Sequence, residues 1–224
     1  MTNGSDSMAV IFDLDGVLID TGWAHLRAWQ ELADREGFEM TERFFKDTFG
    51  MQNYQIIPML LPGISAQELK RMSDWKEHRY RDIIAERLTP ADGVAELLNA
   101  LKRTGFHLAV GSSAPRANLE LMLKGARLTH YFDACVSGED VTAGKPDPAT
   151  FLKAAERLSI TPRRCAIVED AVQGVQAGKA AAMAVVAVTS TRNRRDLAAA
   201  DLVVDSLTEL EPTDFLHLIT NGNR

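Results

Sequence analysis

Five short segments of this chain, at residues 8–12, 108–110, 134–136, 165–168 and 184–188, are apolar without interruption. A strand with one wet face alternates apolar and polar residues. A strand that is apolar throughout must be covered on both faces, and that arises mainly in parallel sheets flanked by helices. Helical patterns separate the later runs. Val94, Leu97, Leu98 and Leu101 share one helical face, with Gly105 placed to end it. Asp147 ahead of Pro148 predicts an N-cap with proline at the first helical position, followed by Phe151 and Leu152. The Ala-rich stretch at 180–184 reads as a helix end feeding a strand. Strand and helix in alternation predict an α/β fold with a doubly wound parallel sheet.

One interval departs from this rhythm. Between the first run and Pro90 the pattern is helical only. Leu26, Trp29, Leu32 and Ala33 mark one amphipathic helix closed by Gly37. Thr41 opens a shorter one carrying Phe44, Phe45 and Phe49 and closed by Gly50. Ser65-Ala66-Gln67-Glu68 is a capping box, and Leu69, Met72, Trp75, Ile83 and Ile84 continue a long helix behind it. The expectation is a core of residues 1–20 and 91–224 with an all-helical domain at 21–90, hinged at Asp20-Thr21-Gly22 and Leu88-Thr89-Pro90. All three tryptophans (Trp23, Trp29, Trp75) fall in that insertion and are expected to form its own small core.

In an open parallel sheet, ligands bind beyond the carboxyl ends of the strands. Here those ends carry Phe12-Asp13-Leu14-Asp15-Gly16, Gly111-Ser112-Ser113, Gly144-Lys145-Pro146 and Val168-Glu169-Asp170. Four carboxylates around one crevice repel one another and call for a hard divalent cation with oxygen ligands, which points to Mg²⁺. Mg²⁺ held by few protein oxygens takes a substrate phosphate, so the pattern suggests phosphoryl chemistry. Lys145 would offset the remaining charge, and Ser112 with nearby N–H groups would hold phosphoryl oxygens. Of two aspartates at i and i+2, one can attack phosphorus while the other moves protons to and from oxygen.

These four segments, in this order, resemble the motifs of the haloacid dehalogenase superfamily across nearly the whole chain. The resemblance implies a Rossmann-like core with a helical cap domain. It implies Asp13 as nucleophile, Asp15 as general acid/base, and Ser112 and Lys145 as further catalytic residues. Asp13, the Asp15 carbonyl, Glu169 and Asp170 become the Mg²⁺ surroundings. An acid/base at Asp15 sets the chain apart from the superfamily's metal-free dehalogenases, and the motif order sets it apart from response-regulator receivers. His25, Trp29 and Lys76 are similar to a pattern of the β-phosphoglucomutase-like group, where the histidine positions the acid/base and the lysine meets the sugar phosphate. Two features depart from the mutases. Asn53 stands in the segment where they carry a phosphate-gripping arginine, a planar grip that asparagine cannot reproduce, and the loop Ser112-Ser113-Ala114-Pro115-Arg116-Ala117-Asn118 is closer to phosphatases. Candidate substrate contacts are therefore His25, Trp29, Asn53, Lys76, Ser113 and Arg116. The expected activity is hydrolysis of a small phosphorylated metabolite, with a sugar phosphomutase as the alternative. A member that has lost catalysis and only binds a ligand would lack Asp13 or Asp15, and both are present.

Composition supports these expectations by exclusion. Twenty-five basic against 31 acidic side chains give a net charge of −6, against a broad nucleic-acid surface. No apolar run approaches membrane-spanning length, residues 1–7 lack the basic and apolar parts of a secretory signal, and Cys135 and Cys165 have no C-x-x-C partner. A cytoplasmic enzyme with reduced, buried thiols and no obligate protein partner is expected. His78, His107, His130 and His217 show no ligand spacing. Gly174 and Gly178 predict close helix–sheet packing.

Overall fold

A computed structural model describes residues 7–221; residues 1–6, which carry most of the segment that lacks a targeting pattern, lie outside the described residues. Among the described residues, six parallel strands form one sheet: β1 (Ala9–Phe12), β2 (His107–Gly111), β3 (Ala134–Val136), β4 (Cys165–Glu169), β5 (Ala184–Val188) and β6 (Leu202–Val204). Their order is β3-β2-β1-β4-β5-β6. That is the doubly wound arrangement, with the chain reversing direction across the sheet beside β1. β1 is central, in register with β2 (Phe12 beside Val110) and with β4 (Phe12 beside Val168).

The uninterrupted apolar runs follow from two separate cores. Val10, Phe12, Leu108, Val110, Ala166 and Val168 face one side and pack with α5 (Val94–Arg103), α6 (Arg116–Gly125) and α9 (Pro212–Asn221). Their neighbours Ala9, Ile11, Ala109, Cys165 and Ile167 face the other, beneath α7 (Ala149–Leu158) and α8 (Val172–Ala180). Successive side chains on a strand alternate faces, so both faces here are buried. Gly178 answers its expected role: a Cβ there would lie 2.1 Å from Ile167.

Between β1 and α5 run four helices, α1 (Gly22–Glu36), α2 (Glu42–Thr48), α3 (Asn53–Leu60) and α4 (Ala66–Ala85). Gly37 ends α1 in the left-handed region at φ 76°, its N–H bonded to Ala33 O. Thr41 caps α2 by accepting from Phe44 N, and Ser65 caps α4 by accepting from Glu68 N. These helices enclose a third apolar cluster of Trp29, Leu32, Phe45, Phe49, Ile57 and Met72.

The structure corrects several expectations. Trp23 packs against the main core rather than the insertion's own cluster, as do Ala24, Ala28, Tyr80, Ile83 and Ile84. The hinge end of α1 and α4 therefore shares the core's apolar interior. The sequence pattern does not predict α3, because Pro58 lies inside it and its cap, Gln52, is an uncommon one. α2 closes on Phe49, with Gly50 one residue beyond. α7 begins at Ala149, one residue later than predicted, though Asp147 Oδ1 still accepts from Ala149 N at 2.9 Å. β6 and α9 are likewise additions of the structure: β6 is short, and only its contact with β5 marks it as a strand. Among the described residues, no helix is long and apolar enough to cross a membrane.

Candidate active site

The site lies where β1 and β4 end side by side. Asp13 N donates to Val168 O at 2.9 Å, which pins the aspartate one residue past β1 against β4. Lys145 reaches in from the loop before α7, its Nζ 2.6 Å from Asp13 Oδ1 and hydrogen-bonded to Glu169 Oε1. Glu169 spends its other oxygen on the backbone: Oε2 accepts from Asp170 N (2.8 Å) and Ala171 N (2.9 Å). Gly174 makes room for this carboxylate, since a Cβ there would sit 1.9 Å from it. Asp170 is held by Thr191, whose Oγ1 donates to both its carbonyl (3.1 Å) and its Oδ2. Gly16 has to be glycine for two reasons, a φ of +80° and an Asp170 oxygen 2.1 Å from any Cβ.

Asp13, Glu169 and Asp170 each present a carboxylate oxygen within 4.8 Å of the others, all buried. One ammonium faces three carboxylates, so charge in this pocket is under-compensated. Burial, together with Glu169 and Asp15, pushes the Asp13 carboxyl up to about 7 despite the opposing pull of Lys145. Burial and the charges of Glu169 and Asp13 raise Asp170 well above the usual carboxylate range. An all-oxygen donor set in need of positive charge fits a hard divalent cation. Lys145 is driven the other way: burial opposes its charge, but Asp13 and Glu169 more than restore it, so it stays an ammonium.

Asp15 belongs to a different set of contacts. Thr21 Oγ1 donates to its Oδ1 at 2.7 Å, His25 Nε2 lies 3.2 Å from the same oxygen, and Tyr80 OH is at 3.4 Å. All three converge on Oδ1, leaving Oδ2 available for proton transfer. Burial opposes ionisation of Asp15, yet the His25 and Thr21 hydrogen bonds and the charge of Lys76 together hold its pKa below the ordinary value. His25 is itself clamped. Its ring stacks on Tyr80 at 3.8 Å between centroids, and Lys76 Nζ is 2.8 Å from its Nδ1. An ammonium can only donate, so Nδ1 accepts and Nε2 carries the proton offered to Asp15. Burial and the Lys76 charge keep the His25 pKa low, in keeping with a neutral ring.

The insertion roofs the site. A cavity of about 250 Å³ lies between it and the core, lined by Asp15, His25, Trp29, Asn53, Lys76, Glu77, Ser113 and Asn118 among others. The Gln52 side chain rests on the core loops: a Cβ on Gly138 or Gly144 would meet it at 2.7 and 2.8 Å. The roof is thus seated on the core.

Known proteins resemble this chain in sequence and fold. Residues 10–188 match the haloacid dehalogenase-like hydrolase family. The chain belongs to that family. Among relatives, a phosphorylated carbohydrates phosphatase of Thermotoga maritima is 32 % identical over 77 % of this chain and 81 % of its own length. A β-phosphoglucomutase of Bacillus subtilis is 32 % identical over 90 % of this chain and 91 % of its own. A solved β-phosphoglucomutase from Clostridium difficile superposes with a TM-score of 0.88 at 28 % identity, covering 96 % of this chain and 98 % of that one.

Within this haloacid dehalogenase-like frame, the structure brings together most of the residues singled out from sequence. Asp13, Lys145, Glu169 and Asp170 form one cluster; Asp15, His25 and Lys76 form a chain beside it. Ser112 is buried after β2 with its Oγ accepting from Ala114 N at 3.0 Å, and the Ser113 hydroxyl in the cavity wall is buried without a hydrogen-bond partner among the described residues. Trp29 lines the cavity, with the Lys76 ammonium 5.2 Å from its ring centroid. Arg116 is not brought in. Its guanidinium pairs with Asp140 at 2.6 Å on the surface, and it does not line the cavity. Asn53 does line it, but its amide is committed to Ser73 Oγ (3.0 Å) and Glu77 Oε1 (2.7 Å).

Sequence reasoning misses Thr21, Tyr80 and Glu77. Thr21 reads as a hinge residue until its hydroxyl is seen on Asp15. Tyr80 follows Lys76 by four positions on α4 and so shares its face, a signal present in the sequence. Glu77 sits in a charge-rich helix where solvent exposure is the ordinary fate, and only the packing shows it buried.

Proposed function

We propose that the protein hydrolyses phosphomonoesters of small sugar-like molecules through an aspartyl-phosphate on Asp13. The observation that carries this reading is the pairing of two aspartates two residues apart in opposite surroundings. Asp13 shares a buried acidic pocket with Lys145, and Asp15 is clamped through one oxygen by Thr21 and His25. Asp13, the Asp15 carbonyl and Asp170, with Glu169 behind them, would hold Mg²⁺, which when bound supplies positive charge to the phosphoryl oxygens and to the acidic cluster.

An Asp13 carboxylate oxygen attacks phosphorus, and the bond from phosphorus to the ester oxygen breaks. Asp15 is ionised in the free site; the negative charge of the bound phosphate beside it raises its pKa, so it takes up a proton on Oδ2 with the substrate and gives it to the departing alkoxide. Asp15 then takes a proton from water as the water oxygen attacks the phosphoryl group, releasing inorganic phosphate and restoring the Asp13 carboxylate. Lys145 and the Ser112 region counter the charge that builds on the phosphoryl oxygens. Glu169, with both oxygens already bonded, orients Lys145 and the turn at Asp170. The seated roof shields the phosphoenzyme from bulk water.

A phosphomutase reading is favoured by the Bacillus subtilis and Clostridium difficile relatives and by the Lys76–His25–Asp15 chain. Against it stand the committed amide of Asn53 and the outward pairing of Arg116, which leave no guanidinium in the cavity wall among the described residues. A phosphorus NMR time course with Mg²⁺, β-glucose 1-phosphate and catalytic glucose 1,6-bisphosphate separates the two. Accumulating inorganic phosphate is the expected result. Clean conversion to glucose 6-phosphate would overturn hydrolysis in favour of the mutase.

A further inference from the structure

Glu77 is a buried carboxylate in the roof of the cavity, and the proposed phosphoryl chemistry does not use it. Its Oε1 accepts from Lys76 Nζ (2.8 Å) and Asn53 Nδ2 (2.7 Å), and its Oε2 accepts from Asn118 Nδ2 across the cap–core boundary. Asn118 is fixed in turn by Arg81, whose Nη1 donates to Oδ1 at 2.8 Å. Burial opposes the charge on Glu77, but Lys76, His25 and these hydrogen bonds hold its pKa below the ordinary value.

The consequence for a ligand is electrostatic. Among the described residues, Lys76 is the sole lysine or arginine lining the cavity, against the carboxylates of Asp15 and Glu77, with Glu139 exposed at the rim. His25 is kept neutral by burial and the Lys76 charge. A phosphate dianion needs several donors and offers only acceptors. This wall offers the reverse: Asn53 gives its two amide N–H groups to Ser73 and Glu77, Asn118 gives one of its own to Glu77, and one Lys76 N–H remains beyond those directed at His25 and Glu77. Hydroxyl groups suit it, since they can donate to Glu77 and Asn53 Oδ1 and accept from Lys76 or Ser113.

We propose that Glu77 is a specificity-determining residue, making the chamber select phosphomonoesters whose remainder is uncharged and rich in hydroxyls, and reject a second phosphate. This deepens the proposed function and rests on it for the identity of the reacting phosphate.

Equilibrium binding tests the selection separately from turnover. Calorimetry on D13N protein with Mg²⁺ would compare glucose 6-phosphate with glucose 1,6-bisphosphate. The monophosphate is expected to bind at least about tenfold tighter, and E77Q in the same background should shrink that preference by roughly tenfold, the scale of one like-charge contact a few ångströms away. N53R, which adds a cation beside Glu77, should move the ratio in the same direction and decides the matter if E77Q fails to fold. Equal or tighter binding of the bisphosphate to the D13N parent would overturn the proposal. So would a ratio that neither substitution moves. If the ratio behaves as expected while wild-type protein releases no phosphate from any monoester, hydrolysis fails and the selectivity stands. Phosphate release with an unmoved ratio would leave hydrolysis standing and overturn the selectivity.

Discussion

The two halves of the site are built by different means. On the core side, the sheet supplies main-chain anchors: the Asp13 N–H bonds to β4 and the Glu169 carboxylate accepts from two N–H groups of the following turn, while Asp170 is held by Thr191 in the space Gly16 leaves. On the cap side, Lys76, Glu77 and Asn53 hold one another, and reach Asn118 of the core, through side chains alone. A position fixed by main chain moves only if the sheet moves. A position fixed by side-chain partners shifts when any one partner changes, because the others are left with unmatched charge or hydrogen bonds. On the proposed function, bond-making sits on the rigid half, and ligand choice on the half that single substitutions can retune.

The largest effect should come from the core side. D13N should cut turnover by roughly 10³-fold or more while the thermal transition persists, as loss of a nucleophile does elsewhere; near-normal phosphate release by that variant would remove Asp13 from the reaction. Next comes Asp15. D15A should lose about 10²–10³-fold on a sugar phosphate but far less on p-nitrophenyl phosphate, whose leaving group needs no proton. Equal losses on both substrates would deny it the acid role.

Changes to the cap should be milder in rate and felt in binding. L32A opens a void in the cap's own apolar cluster and should cost about 2–5 kcal/mol locally. With bond-making fixed by the core, the outcome should be a raised KM with kcat falling much less, whereas F151A beneath the sheet should lower the stability of the whole protein, read by denaturant unfolding. If L32A lowered kcat as much as it raised KM, the division of labour would collapse. Trp29, in the cavity wall, should report ligand by fluorescence, and W29F should remove most of that response, since Trp23 packs on the main core. Smallest of all, R116A should change kcat/KM by less than about twofold, its exposed guanidinium being spent on Asp140 outside the cavity. A large loss would return Arg116 to the substrate.

Much of this is legible in the order of residues along the chain. Apolar runs without alternation require both faces of a sheet to be covered, and the polar residues that end those runs must then share one edge; Asp13, Glu169 and Asp170 follow from that, while Lys145 stands nine residues past the third run and the fold brings it to the same edge. His25 and Lys76 come from resemblance to a known pattern rather than from spacing. The sequence could not reveal α3, whose proline argues locally against a helix that the packing of Ile56 and Ile57 sustains.

What the sequence by itself determined is the parallel sheet, the helical insertion after its first strand and the acidic edge, because periodicity and order along the chain encode them directly. What only the tertiary structure decided is which charged side chains face inward. Glu77 and Arg116 look alike in sequence, each one charged residue on a helix that carries others. One is drawn into the cavity by Lys76, Asn53 and Asn118; the other is drawn out by Asp140. Those partners lie 41 and 24 positions away in the two longest-range cases, and a charge settles where its counter-charge is, which only the folded chain brings within reach.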